Sequence, residues 1–104
     1  MSTSVSRETG PDRFEVSADG VVAGFTRFVD HDGRRVFFHT EVGEEFGGQG
    51  LAGIVVEEAV RATREEGLIL VPVCSYVAKW LTEHADHGAT IAQPTPDDLA
   101  AIPK

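Results

Sequence analysis

Apolar and polar residues alternate through the first half of the chain and recur every three or four positions through the second, a pattern of strands followed by helices. Phe14 and Val16 alternate with charged or polar neighbours, and Asp19-Gly20 follows as a turn signal. Val21–Val29 reads as a second strand, and Asp30-His31-Asp32-Gly33 as a hairpin loop. Arg35–Val42 reads as a third strand, whose alternation puts Val36, Phe38, Thr40 and Val42 on one face and Phe37, His39 and Glu41 on the other. From Leu51 to Glu66 the period becomes helical, with Leu51, Ile54, Val55, Ala59 and Ala62 on the apolar stripe and Gly67 as the stop. Leu68–Val73 is a short apolar run that suits a buried strand, although Pro72 cannot donate to a ladder. Cys74-Ser75 leads into a second helix over Tyr76–Asp86, with Val77, Trp80, Leu81 and His84 at i, i+3, i+4 and i+7. The predicted class is α+β, in the order β-β-β-α-β-α, with a crossover helix joining the third strand to a parallel neighbour.

The two ends are expected to be tails. Residues 1–12 are rich in Ser and Thr and close on Gly10-Pro11, and residues 88–104 carry Pro94, Pro96 and Pro103 among small and acidic residues. That leaves one domain over residues 13–87, in keeping with a length of 104 residues. A net charge of −8, from 17 Asp+Glu against 9 Lys+Arg, argues against nucleic acid as a partner. A single cysteine rules out an internal disulfide framework and fits a reducing, cytoplasmic setting. No run reaches the length of a membrane span, and the N-terminus lacks the basic-then-apolar layout of a signal peptide. Oligomeric state is not legible.

Gly47-Gly48-Gln49-Gly50-Leu51-Ala52-Gly53 is the most informative stretch. Glycines just before a helix let backbone N–H groups approach an anion, and the helix dipole adds attraction. The alternative is a loop whose glycines serve tight packing only. The string Gly48-x-Gly50-x-x-Gly53 matches a dinucleotide fingerprint by accident, since no acidic residue follows at ribose-binding distance. A Walker A reading fails for want of Lys-Ser/Thr.

Three segments in this order, His39-Thr40-Glu41-Val42, Gly48-Gln49-Gly50-Leu51-Ala52 and Val71-Pro72-Val73-Cys74-Ser75-Tyr76-Val77-Ala78-Lys79-Trp80, resemble a small single-domain branch of the GNAT acetyltransferases. The resemblance covers residues 13–87. It implies a GNAT-like mixed sheet, acetyl-CoA as co-substrate, and N-acetyltransferase activity toward an amine. Carried over by position, it implies that the backbone of Gln49, Gly50, Leu51 and Ala52 cradles the CoA pyrophosphate. It also implies that the strand edge near Glu41 and Val42 pairs with the pantetheine arm. The chain departs from the family pattern at Gly47, where Arg or Gln is usual, but a backbone cradle does not need that side chain. Lys79 and Arg61 are the cations nearest to a 3′-phosphate. The acidic surface opposes CoA at long range and favours a cationic amine acceptor, either a small molecule or a protein.

Cys74 stands where a strand ends and a helix begins, which biases a thiol toward thiolate, although free cysteine is commonly a small buried hydrophobe. With the resemblance, Cys74 lies beside the acetyl thioester, either as an acetyl-accepting nucleophile or as a bystander to direct attack by the amine. The resemblance favours direct attack. Direct transfer needs a base for the amine and an acid for the departing thiolate. Glu41 and His39 are the candidates for the first, although an exposed strand face is the plainer reading of both. Tyr76 is the candidate for the second, and a core aromatic the plainer reading. His84 is expected to pack rather than react. No histidine or acid pair has a specific ligand spacing, so no metal is expected. The alternatives to an enzyme are a non-catalytic module binding CoA or acyl-CoA and a protein-interaction domain.

Overall fold

Asp19 and Gly20 take φ of 51° and 83°, and Asp32 and Gly33 take 50° and 72°. Such left-handed pairs let a two-residue turn follow the right-handed twist of its flanking strands. These turns join β2 (Arg13–Ala18) to β3 (Val21–His31) and β3 to β4 (Arg34–Val42). The computed structural model describes residues 2–103; Met1 and Lys104, the outermost residues of the two predicted tails, lie outside the described residues. With β1 (Thr3–Glu8) and β5 (Ile69–Pro72), the strands form one sheet in sequential order. The first four pair antiparallel, and β5 pairs parallel with β4. The crossover between β4 and β5 is α1 (Leu51–Glu65); α2 (Ser75–Glu83) follows β5, and α3 (Pro96–Ala101) closes the chain. The predicted α+β class and mixed sheet hold, with one further strand and one further helix at the ends.

The core lies between one face of the sheet and the two longer helices. Phe14, Val16, Phe28 and Phe37 meet Val55, Val56 and Val60 of α1 and Val77, Trp80 and Leu81 of α2. Each fully buried Val or Leu is worth about 1.5–3 kcal/mol, so tertiary burial rather than propensity holds α1 in place. Its buried face is turned from the predicted stripe. Ile54 is 37% exposed, whereas Val56, Val60 and Thr63 are buried. The helix ends as predicted at Gly67, whose N–H donates to the Arg64 carbonyl while the Leu68 N–H reaches the Thr63 carbonyl at 3.1 Å.

A bulge in β4 corrects the predicted faces of that strand. Arg27 pairs with His39, but the next residue, Phe28, pairs with Phe37, so Phe38 is an extra residue in the ladder. The insertion reverses the alternation. Phe37 joins the core, Thr40 and Val42 continue on that side, and His39 and Glu41 are exposed on the other.

Both predicted tails are ordered over their described parts. The Ser/Thr-rich start forms β1, paired from Thr3↔Ala18 to Glu8↔Arg13. Polar side chains suit its exposed outer edge, and Arg7 ties it to Glu66 with Nη1 2.9 Å from both carboxylate oxygens. At the other end, Leu70 forms a bridge with Ile91, and Thr95 and Asp98 form a reciprocal cap at the start of α3.

Two ion clusters brace the sheet. Arg35 is 0% exposed and makes forked hydrogen bonds to Asp30 (2.8 and 2.9 Å) and Glu66 (2.9 and 3.1 Å), with its guanidinium over the Phe28 ring. Burial opposes its charge, and the hydrogen bonds it donates to both carboxylates override that and raise its pKa. Asp98, also fully buried, accepts from Arg34 Nε and Nη2 (2.9 and 2.7 Å), from His31 Nε2 (2.6 Å) and from the Thr95 N–H (2.9 Å). The Arg34 hydrogen bonds lead the effects that hold its carboxyl well below the usual carboxylate range, against the opposing effect of burial. These contacts are how a helix of six residues stays docked on the β3–β4 hairpin. Asp98→Ala is therefore expected to free the C-terminal segment while leaving the sheet folded. Limited proteolysis would show new cleavage after about residue 93 and retained strand content by circular dichroism; unchanged resistance would remove Asp98 as the anchor.

Candidate active site

β4 and β5 separate where the sequence places Pro72. Their pairing runs from Arg34↔Ile69 to Phe37↔Pro72, and then both Val73 and Cys74 turn their N–H groups onto the Phe37 carbonyl, at 3.0 and 2.8 Å. Beyond that point β4 has a ladder partner only on its β3 side, so its edge from Phe38 to Val42 faces an open gap. Backbone amides left at such an edge need partners, which a strand-like ligand rich in amides can provide.

The end of β4 is held close to β3 by Gly24. A Cβ at that position would stand 2.5 Å from the Glu41 carbonyl oxygen and 2.7 Å from Val42 Cγ2. A glycine inside a strand pattern signals close backbone approach, so Gly24 carries a local signal of this contact.

After β4 the chain makes one turn of 3-10 helix at Glu44–Phe46 and reaches α1 through Gly47–Gly50. Gly50 takes φ 72° as the residue before the helix and offers no side-chain cap. The first intrahelical bond runs from the Ile54 N–H to the Gly50 carbonyl, so the N–H groups of Leu51, Ala52 and Gly53 point out of the helix end unpaired within it. No acidic side chain occupies the first turn, and a Cβ at Gly48 or Gly50 would meet nothing within 4 Å. An uncapped N-terminus behind an open loop is the arrangement an anion needs.

α2 begins beside α1. A Cβ at Gly53 would lie 3.8 Å from Tyr76 Oη, so the Tyr76 hydroxyl overhangs the first turn of α1 and the ring is 39% exposed. Cys74 is the residue before α2, and its Sγ donates to Thr40 Oγ1 at 3.4 Å. Thr40 is in turn 2.9 Å from the buried Thr26 hydroxyl. This Thr26–Thr40–Cys74 chain crosses the base of the gap. No local pattern marks Thr26, because its role depends on the bulge that aligns Thr40 with it.

The predicted residues therefore fall into separate groups. Gln49, Gly50, Leu51 and Ala52 form the loop and first turn of α1, with Tyr76 above them; Glu41 and Val42 end the exposed edge of β4; Cys74 lies across the gap from Thr40. His39 and Glu41 meet each other, Nε2 to Oε1 at 3.3 Å, on the sheet face away from α1 and α2. Beside them is a cleft of about 210 Å³ bordered by Val22, Phe25 and Gly43. Lys79 is exposed on α2. Arg61 is corrected. It is held by Glu58 and Glu65 of its own helix, about 15 Å along α1 from Leu51 at 1.5 Å per residue. His84 stacks on Trp80 with ring centroids 4.1 Å apart. The larger surface cleft, about 300 Å³, lies between the later turns of α1 and α2, around Arg61, Trp80 and His87, away from the uncapped amides. Among the described residues there is no cluster of three or more His, Cys, Asp or Glu able to hold a metal, and no helix long and apolar enough to cross a membrane.

Comparison with known proteins places this geometry. The sequence profile of GCN5-related N-acetyl-transferases matches residues 13–90. A GCN5-like protein from Staphylococcus aureus shares the fold at a TM-score of 0.65 and 19% identity, over 89% of this chain and 91% of its own. A protein of unknown function from meticillin-resistant S. aureus superposes at a TM-score of 0.58 and 14% identity, over 92% and 94% of the two chains. The ribosomal-protein-S18-alanine N-acetyltransferase of Escherichia coli superposes at 0.57 and 21% identity, over 70% of this chain and 50% of that enzyme, so this chain corresponds to half of that enzyme's length. No curated protein sequence matches the chain. With three quarters of its residues inside the matched profile, the chain belongs to the GCN5-related N-acetyltransferase family.

Proposed function

We propose that the protein transfers an acetyl group from acetyl-CoA to an amine. The observation that carries this reading is the gap between β4 and β5 opening directly beside the uncapped start of α1. An extended arm with two amides and a diphosphate at one end matches that pairing of features. The N–H groups of Leu51 and Ala52, with the loop backbone of Gln49 and Gly50, would hold the diphosphate. The edge at Glu41 and Val42 would pair with the pantetheine amides, and the exposed Lys79 of α2 is the candidate cation for the 3′-phosphate. When bound, acetyl-CoA supplies an activated thioester carbonyl.

The chain's own groups then have assignable tasks. The amine nitrogen bonds to the acetyl carbon, the carbon–sulfur bond breaks, and the sulfur leaves with the electron pair. Glu41, alone or through its contact with His39, takes the proton that the amine gives up, and the Tyr76 hydroxyl supplies one to the departing sulfur. The gap passes through the sheet, so an acceptor lying on the face of His39 and Glu41 can reach a thioester held from the helix side. Cys74 favours direct transfer over a covalent acetyl-cysteine. Its hydrogen-bond partner is a threonine hydroxyl, and a nucleophilic thiol needs a base or a cation in that place.

Calorimetry with acetyl-CoA and desulfo-CoA tests binding, and labelled acetyl transfer to a panel of amines tests catalysis. Glu41→Gln is expected to lower kcat by about 10²–10⁴-fold, as removal of a general base does. Cys74→Ala is expected to keep activity, with no acetyl adduct on the wild-type protein by intact mass after acetyl-CoA alone. Absence of binding to either nucleotide would sink the reading. Binding without transfer to any amine would leave a CoA-binding module.

A further inference from the structure

Among the described residues, one buried side-chain nitrogen or oxygen lacks a hydrogen-bond partner, and it is Nε of Arg27. The chain has 17 carboxylates and nine Lys and Arg residues, so pairing should be easy to arrange. Arg7, Arg13, Arg34, Arg35 and Arg61 are paired with Asp or Glu, and Arg64 donates to the His87 carbonyl. Arg27 instead lies over the ring of Phe38, 5.0 Å from its centroid. Phe38 is the extra residue of the β4 bulge, so an irregularity of the sheet supplies the platform on which the guanidinium rests.

Register fixes the neighbours. Arg13, Arg27 and His39 form one row across β2, β3 and β4, and Glu15, Phe25 and Glu41 form the next row on the same face. Glu15 is committed to Arg13 Nε at 2.7 Å, and Glu41 to His39. Neither of these carboxylates accepts a hydrogen bond from Arg27 Nε. A buried donor of a charged group left without an acceptor is destabilising, and the face of an aromatic ring does not replace a hydrogen-bonding oxygen. Such a group is expected to be paired in the working state of the protein.

We infer that Arg27 is an anion-binding subsite of the acceptor face, and that the preferred acceptor carries a carboxylate as well as the amine. This rests on the acetyl-transfer reading for the amine's position. Residues directly opposite in an antiparallel pair are about 5 Å apart and diagonal ones about 7–8 Å, so Arg27 lies within one small molecule of His39 and Glu41. An acceptor spanning them places its amine by the carboxylate of Glu41 and its own carboxylate on the fork of Arg27, the planar geometry that guanidinium recognises. The acidic surface still draws the amine end. Arg27 determines what else the molecule carries.

The test uses matched acceptors, 4-aminobutanoate against butylamine, and a lysine peptide with a neighbouring Glu against the same peptide with Gln. In the wild type kcat/KM is expected to favour the carboxylate-bearing member of at least one pair by about tenfold or more. Which pair discriminates tells a free amino acid from a protein side chain. In Arg27→Met, whose apolar stem still covers Phe38, that ratio collapses toward one, and Arg27→Lys restores part of it. An independent readout is the Nε–H resonance of Arg27, assigned by its loss in Arg27→Met. It is expected to shift on titration with 4-aminobutanoate and not with butylamine. If no amine is acetylated but the resonance shifts selectively, the enzyme reading fails and the anion subsite stands. Equal shifts with both compounds, or a preference that survives Arg27→Met, overturns the subsite.

Discussion

Arg35→Ala is expected to cost about 3 kcal/mol of folding stability, the lower end of the range for removing one member of a buried ion pair. The lower end applies because Asp30 and Glu66 each keep 37% of their side-chain surface exposed and can rehydrate once the guanidinium is gone. For a domain of this size such a loss lowers Tm by at least about 12 °C. Three strands and one helix meet at this residue. It binds the end of β3 through Asp30 and the end of α1 through Glu66, which Arg7 of β1 also holds. Glu66 sits at the C-terminal end of α1, where the helix dipole disfavours a carboxylate. The hydrogen bond from Arg35 nevertheless lowers its pKa to about 2, against the opposing effect of burial and with help from Arg7. A carboxyl with a lowered folded-state pKa contributes stability in full above its unfolded value of about 4.3, and that stability is lost as pH falls through the folded value. The wild type is therefore expected to lose stability between about pH 5 and pH 2, and Arg35→Ala to lose less over that window because only Arg7 remains. Urea unfolding of both proteins across this range checks the two statements together. A change below about 1 kcal/mol at pH 7, or parallel pH curves, would show that the cluster does not brace the fold.

Gly24→Val is expected to act on the site rather than on the core. No conformation of a side chain relieves a Cβ placed 2.5 Å from the Glu41 carbonyl, so β4 must move away from β3 at its last residues. Overpacking of this kind costs about 1–3 kcal/mol. The functional loss should be larger, because a displacement of about 1 Å in a positioning element costs about 10²-fold in rate. Acetyl-CoA affinity and kcat/KM are both expected to fall, with Gly24→Ala intermediate and the far-ultraviolet spectrum unchanged. Wild-type affinity in a folded Gly24→Val protein would mean that Glu41 and Val42 do not carry the pantetheine arm.

Local rules explain what could be read directly from the residues. The Asp-Gly pairs announced both tight hairpins, Gly67 announced the end of α1, and Pro72 announced the parting of β4 and β5. The loop before α1 was legible because an uncapped glycine-rich helix start is itself a local feature. The failures share a different cause. β1 is held by β2 and by Arg7 on Glu66, 59 residues away, and α3 by Asp98 on His31 and Arg34, 67 and 64 residues away. Ser, Thr and Pro composition describes such segments as tails, since no window of sequence contains the partner that orders them. The bulge at Phe38 is non-local too. Strict alternation assigned Phe37 to the face of His39 and Glu41, and one extra residue transferred it to the core. The same insertion put Thr40 in reach of Cys74 and left Arg27 on an aromatic platform, so it shapes both sides of the gap.

The two edges of the sheet differ in a way that bears on self-association. An unpaired strand edge is a template for intermolecular β-pairing. β5, the most apolar strand, is covered: the Leu70 N–H donates to the Thr90 carbonyl at 2.8 Å, and the Ala92 N–H donates to the Leu70 carbonyl at 3.1 Å. The free edge is β1, six residues long with the sequence Thr-Ser-Val-Ser-Arg-Glu, which carries two charges and one apolar residue. A copy docking there would bury hydroxyls and an arginine for little apolar gain. Stripping residues 2–12 would leave β2 as the edge, and its Phe14 and Val16 would flank a bare ladder. Removal of β1 is therefore expected to raise self-association through the exposed ladder of β2.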